Sequence, residues 1–321
     1  MARKLASWDT AIIILTVAVL IVASLAVDNF GTSRNFTFMV LDLMPIILVA
    51  LPMTFIIVTG EIDLSVASTL GLTSSLMGWF WNHDMSIETI IPLCVLIGAV
   101  AGVLNGFLIT GLGLPSLAVT IGTLALYRGL ALVVLGDGAV ADFPFNYTNW
   151  VTGSATNILV LVVVMALIFG VILHATPVGR SLYAIGANAQ AAHFSGIRVN
   201  RTKFWLYVVS GAVAGLVGVL WTLRYSSARA DNGAGLELAV VAAVLLGGVS
   251  IFGGKGSLPG VLAGVVLLTA LQNALRLEDV SGQALNIVTG ALLVLSVLLP
   301  NIFTSIRGTW QRRRLRQSAA S

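Results

Sequence analysis

Long unbroken apolar runs, each near the length needed to cross a lipid bilayer, constrain this chain more than any other feature. Ten follow one another, at about 11–27, 38–58, 64–81, 90–110, 115–135, 157–175, 204–223, 237–252, 257–275 and 284–303, against the roughly 20 residues a spanning helix requires. In hydrocarbon every backbone N–H and C=O must find a partner inside the protein, so only helices and closed barrels can cross. Barrel strands would alternate over about ten residues; runs of this length select helices. The expected fold is therefore all-α: a polytopic transmembrane helical bundle of about ten spans, one domain over 1–321. A polar connector at 176–203 and a basic tail at 307–321 complete it. The runs at 64–81, 237–252 and 257–275 are the least regular, being short or broken by Ser, Thr and Gly. Composition agrees, with 58% hydrophobic and only 9% charged residues, where soluble domains carry about 25% charged.

Lys and Arg give the expected orientation, because they concentrate in cytoplasmic loops. With both termini cytoplasmic, the inside holds Arg3, Lys4, Arg180, Arg198, Arg201, Lys203, Lys255, Arg307, Arg312, Arg313, Arg314 and Arg316. The outside holds only Arg34, Arg224, Arg229 and Arg276, and Arg128 falls within the fifth run. All seven tryptophans lie at or beyond run ends, where amphipathic indoles prefer to sit. Arg3 and Lys4 before the stretch Ala11 to Val27 imitate a signal peptide. That stretch is long for one and many runs follow, so an uncleaved first span is expected.

Several functions are disfavoured. Cys94 is the only cysteine, and His83, His174 and His193 are far apart, so neither a disulfide nor a metal site is expected. The net charge of +4 follows topology and predicts no nucleic-acid partner. The string Gly253-Gly254-Lys255-Gly256-Ser257 lacks the spacing of a phosphate-binding loop, so the chain is not expected to bind ATP or any cofactor itself. No His, Cys or paired-carboxylate constellation predicts an enzyme. Asp42 and Arg128 are the clear charges within runs; ion-coupled carriers bury more. An ion-coupled secondary transporter of a small polar solute is the alternative to the reading below.

Four segments carry a resemblance. The connector from Gly179 to Ile197 has Asn188 placed as an N-cap, Ala189, Ala191 and Ala192 within a short helix, and Gly196 as its stop. On spacing alone it is either an ordinary connector or a docking helix. The others are Thr59-Gly60-Glu61-Ile62-Asp63-Leu64-Ser65-Val66, Leu114-Pro115-Ser116 through Thr120-Ile121-Gly122-Thr123 to Tyr127-Arg128-Gly129, and Leu246 to Ser257. Together they resemble bacterial monosaccharide ABC-importer permeases, the ribose, xylose, arabinose, galactose, rhamnose and autoinducer group. The rhamnose-type and autoinducer-type members look closest, through Thr120 to Arg128 and Leu135-Gly136-Asp137. Glu61 departs from the family's second glycine and leaves open how a tight turn is made there.

The resemblance implies a multi-pass protein of the bacterial inner membrane that imports a monosaccharide or similar polyol-like solute. It implies three partners: a cytosolic ATP-binding-cassette ATPase that binds the ATP, a periplasmic or lipid-anchored sugar-binding protein, and a second permease subunit, identical or sister. Gly186, Asn188, Ala189, Ala191, Ala192, Ser195 and Gly196 are then the expected ATPase-coupling residues.

Other candidates come from spacing. Ser116, Thr120, Thr123 and Tyr127 fall on one helical face and suit a sugar pathway, with Asn105 beside it. Such hydroxyls equally bond their own helix or pack against a neighbour. Gly98, Gly102 and Gly106 predict close helix packing. Asp42 and Arg128 are expected either to pair near an outer gate or, for Arg128, to reach outward to the interface. Glu61 and Asp63 are expected at the cytoplasmic start of the third span, as a cap or an ATPase contact. Gly-Ala-Val-Ala-Gly occurs at 98–102 and 211–215, by repetition or by chance. Asn35-Phe36-Thr37 and Asn146-Tyr147-Thr148 match the glycosylation sequon by coincidence.

Overall fold

A computed structural model describes residues 8–296 and 298; the tail at 307–321, Arg3, Lys4 and Trp310 lie outside the described residues. Ten helices correspond to the ten runs: α1 Trp8–Ala26, α2 Ser33–Val58, α3 Val66–Trp81, α4 Ile87–Thr110, α5 Ser116–Leu135, α7 Ala155–Ala175, α10 Val199–Tyr225, α11 Leu236–Leu246, α12 Leu258–Leu277 and α13 Gly282–Ser296. Three short helices join them: α6 Phe145–Thr152, α8 Pro177–Ala187 and α9 Ala189–Phe194. Two-residue strands, β1 Ala139–Val140 and β2 Ala228–Arg229, pair antiparallel. Seven helices (α1, α2, α4, α5, α7, α10 and α12) are long and apolar enough to cross a membrane. The shorter α3, α11 and α13 are not.

The centre of the bundle is α2. It is buried along nearly its whole length, from Val40 to Val58, and it is apolar all round, as a helix enclosed by others must be. Around it, α1, α5 and α7 turn apolar side chains such as Ile14, Val133 and Leu167 outward. A soluble protein would not expose such faces; a lipid-facing one must. Asn35 on α2 and Asn273 on α12 exchange amide hydrogen bonds of 2.8 and 3.0 Å. Asn35 is thus buried and committed, in keeping with a chance sequon.

The most extensive helix contact joins α4 to α10, and glycine makes it. A Cβ on Gly98 would stand 2.2 Å from the Gly211 carbonyl oxygen, and one on Gly211 would stand 2.1 Å from that of Gly98. One on Gly102 would stand 2.2 Å from the Tyr207 carbonyl oxygen. The two copies of Gly-Ala-Val-Ala-Gly therefore face each other across one crossing. Lipid offers apolar surfaces no drive to associate, so helices gain affinity by close backbone approach.

Two expected spans are altered by backbone chemistry. The run 237–252 stops being helical at Leu246, where Gly247 and Gly248 (φ +90°) turn the chain. Residues 247–257 form an irregular loop, closed by Ser250 N–H to the Lys255 carbonyl at 3.0 Å. Ahead of α11 the chain re-enters the bundle as a non-helical segment along α3. Ala228 lies beside Gly78, and Gly233 beside Leu70 and Ala67. Past the two-residue strand β2 the segment runs through turns, with Asn232 N–H donating to the Arg229 carbonyl at 3.4 Å and Ala234 N–H to that of Asp231 at 3.1 Å. Irregular backbone at membrane depth is tolerated only where protein buries it or it lines a water-filled cavity; here Ala228, Ala230 and Gly233 are buried, while Arg229, Asp231, Ala234 and Gly235 stay exposed.

Gly98→Leu should prevent the α4–α10 crossing from closing. Overpacking costs about 1–3 kcal/mol or more, so the thermal midpoint in detergent should fall or the folded protein be lost. Gly122→Ala, whose Cβ meets nothing within 4 Å, should behave as wild type. Equal midpoints for the two variants would refute this account of the crossing.

Candidate functional site

The connector and the turn after Val58 lie at one end of the bundle, where α2, α4 and α7 finish and α5, α10 and α12 begin, while Asp42, Tyr127 and Arg128 lie toward the other. After Val58 the chain turns through Gly60 (φ +81°). That glycine takes the left-handed backbone, so Glu61 needs no flexible conformation and the departure from the family pattern is harmless. Glu61 instead forms an ion pair with Lys203 of α10.

Asp63 does not sit at the surface as expected. It is buried, level with the middle of α10 rather than its start, because α3 begins deep in the bundle. Its Oδ1 accepts from the Ser65 N–H at 3.0 Å and the Ser65 hydroxyl at 2.6 Å. Its Oδ2 accepts from the Ser210 hydroxyl at 3.0 Å. Hydrogen bonds to a charged group are worth about 1.5–3 kcal/mol each, and three of them offset part of the cost of burying a carboxylate. Asp63 thus fixes the chain just ahead of α3, as a cap would, but inside the protein. Asn105 extends the knot, donating Nδ2 to the Ser65 hydroxyl at 2.8 Å; its Oδ1 has no partner among the described residues.

The hydroxyl face of α5 closes on this knot. The Ser116 hydroxyl accepts from the Ile62 N–H at 3.4 Å, and Thr120 donates to the Ile62 carbonyl at 3.4 Å. Thr123 bonds the Val119 carbonyl of its own helix at 3.0 Å, and the Tyr127 hydroxyl donates to Ala101 of α4 at 2.8 Å. The four residues share one buried face, as their spacing predicts, and their hydroxyls are engaged within the chain.

Asp42 and Arg128 are not partners. Asp42 pairs with Arg224 of α10 and with Arg276 of α12, the latter at 2.8 Å. Arg128 turns inward to the carbonyls of Ala230, Asn232 and Ala67, binding the re-entrant segment to α3. Both expectations for Arg128, pairing or reaching outward, are thereby corrected. The re-entrant backbone offers carbonyls that no helix satisfies, and a guanidinium supplies several donors at once. Sequence reasoning missed Arg224 and Arg276 because it assigned them to solvent loops.

The connector forms α8 and α9. The Asn188 Oδ1 accepts from the Ala191 N–H at 2.9 Å, and Gly196 takes φ +86° just past the helix end. The Ser195 hydroxyl donates to the Ala191 carbonyl at 3.0 Å. Ala192 alone packs inward; Ala189, Ala191, Ser195 and Gly196 are exposed, and Phe194 is 80% exposed. Gly186 differs from its group. A Cβ there would meet the Val58 carbonyl oxygen at 1.9 Å and the Gly254 nitrogen at 2.3 Å, so it belongs to the base of α9 and not to its outer surface. Gly254 N–H also donates to Val58 at 2.8 Å. Beside this base Phe252 is 76% exposed. It escaped notice because the eighth run was drawn through it; its place in a glycine-rich string was the available signal. Among the described residues no group of His, Cys, Asp and Glu can hold a metal.

These features describe a polytopic helical membrane protein with buried polar contacts, and comparison with known proteins gives its class. The family model described as branched-chain amino acid transport system / permease component matches residues 35–297. The chain belongs to that family: it is the multi-pass inner-membrane permease subunit of a binding-protein-dependent ABC importer, and the ATPase activity resides in a separate subunit. It is similar to proteins called autoinducer 2 import system permease protein LsrD. The one from Photorhabdus temperata is 32% identical over 96% of each chain. That of Yersinia pseudotuberculosis serotype O:1b is 34% identical, over 95% of this chain and 97% of its own. That of Yersinia enterocolitica is 35% identical over 88% and 90%. No solved structure matches.

Proposed function

We propose that this permease imports autoinducer 2 or a closely similar sugar-like solute, pairs with a second permease subunit, and takes its driving motion through α9. End-to-end similarity to the autoinducer 2 permeases supports the solute class. The observation that carries the coupling role is the exposed face of α9 above a base of backbone contacts, formed by Gly186, Gly254 and Val58. Asn188, Ala189, Ala191, Ser195 and Gly196 form the surface for the cytosolic ATPase, with Ala192 holding the helix down and Phe194 and Phe252 projecting beside it. A cytoplasmic α9 end agrees with Arg180, Arg198, Arg201, Lys203 and Lys255 lying there, while Asp84, Asp137 and Asp142 lie in loops at the other and Glu88 in the first turn of α4. Ten spans with both termini inside follow when α3, α11 and α13 are counted with the seven longer helices. The solute route runs along the α3–α5 seam past Ser116, Thr120, Thr123, Tyr127 and Asn105. In support, Asn105 Oδ1 is a buried acceptor without a partner among the described residues, a site that a solute hydroxyl would satisfy.

Three experiments test these statements. Ala191→Trp adds bulk on an exposed position, so the chain should fold and insert but lose the ATPase in pull-down and lose uptake. Normal co-purification with normal transport would remove Ala191 from the contact. For orientation, a cysteine placed in 138–148 should react with an impermeant thiol reagent applied outside intact cells, whereas one at Gln190 should not; native Cys94 is buried and contributes little background. The reverse labelling pattern would invert the topology. For the route, the nearly isosteric double variant Thr120→Val, Thr123→Val should assemble normally and import more slowly, and unimpaired uptake would place the route elsewhere.

A further inference from the structure

Beside the coupling end, a groove of about 380 Å³ opens between α2, α7 and α10. Its floor is apolar: Pro52 and Phe55 from α2, Phe169 and Ile172 from α7, Leu206 and Val209 from α10. Its mouth is cationic. Arg198 and Arg201, both exposed, stand at the first turn of α10, and Thr202 adds a hydroxyl. Neither arginine forms an ion pair among the described residues; of the acids at this end, Glu61 is engaged by Lys203, Asp63 by Ser65 and Ser210, and Asp9 lies beside Gly260 of α12. Trp205 lines the same groove and is exposed, at the depth where indoles mark the boundary between headgroups and hydrocarbon.

We propose that this groove is a binding site for one anionic phospholipid, its phosphodiester held by Arg198, Arg201 and Thr202 and one acyl chain laid along Phe55, Ile172, Leu206 and Val209. Charge complementarity selects the occupant. A second copy of the chain would present the same two arginines, and an apolar peptide would leave them unmatched. A zwitterionic lipid would bring its own cation to a site that already has two. Guanidinium groups pair well with phosphate oxygens, and the amino end of α10 adds its dipole in the same direction. Basic pockets between transmembrane helices are suited to anionic headgroups.

The test uses the full chain purified in a mild detergent, exposed to equimolar phosphatidylglycerol and phosphatidylcholine, with retained lipid read by native mass spectrometry. Wild type should retain one phosphatidylglycerol in preference to phosphatidylcholine. Arg198→Gln with Arg201→Gln should reduce that preference about twenty-five-fold, from roughly fivefold per arginine near a charged headgroup. Arg180→Gln, at the same end but outside the groove, should leave it intact. Val209→Trp fills the apolar floor while keeping both arginines, and it should also expel the lipid. Equal retention of the two lipids by wild type, or an undiminished preference in the double variant, would overturn the proposal. So would displacement of the lipid by excess glycerol phosphate, which would make this a site for free phosphate. Two chains in one particle without bound phosphatidylglycerol would assign the groove to a second copy and overturn it too.

Discussion

Backbone-to-backbone contact between α4 and α10 is the interaction on which the rest of the bundle depends. In water, apolar faces drive helices together; in lipid that drive is absent and packing must replace it. Gly98, Gly102, Gly211 and Gly215 let the two helix axes approach until side chains elsewhere on α10 meet α2 and α3. Ser210, one residue before Gly211, donates to Asp63 from the same stretch of α10. The stretch of α10 that makes the crossing thus also holds the chain at the entry to α3.

The second constraint is the need to satisfy irregular backbone inside a membrane. The chain meets it twice with charge. Asp63 gathers donors where the chain enters α3, and Arg128 serves carbonyls where the chain re-enters ahead of α11. A charged residue at the centre of a spanning helix costs about 2.5–3.5 kcal/mol on insertion scales. Here each charge is matched with polar groups that would otherwise be unpaired in a dry interior. Both charges are therefore structural: Asp63 holds the chain at the entry to α3, and Arg128 of α5 holds the segment ahead of α11.

Helix existence was legible in the sequence, since ten apolar runs correspond to ten helices. Asn188 and Gly196 around α9 were legible too, because capping is local chemistry that a few residues determine. The packing of Gly98 and Gly102 was readable as a tendency, but their partner was not. Depth and partnership were hidden. Asp63 looked superficial because periodicity says where a helix starts along the chain and nothing about how far inside the bundle that start lies. Arg224 and Arg276 looked like loop residues because their partner, Asp42, is more than 180 residues away from one and more than 230 from the other. The hydroxyl face of α5 was read correctly as a face, while its engagement by Ile62 and Ala101 depends on the irregular approach to α3.

The glycine base beneath α9 carries a mechanical consequence. A joint built from long side chains absorbs a push by changing rotamers, and the displacement is spent before it reaches the next element. Gly186, Gly253 and Gly254 have no rotamers, and they rest on the peptide backbone at Val58 and Gly60. Slack at that joint is close to zero. A shove delivered to α9 must move the end of α2, the most enclosed helix of the molecule, by nearly the same distance, as a rigid crank turns its shaft.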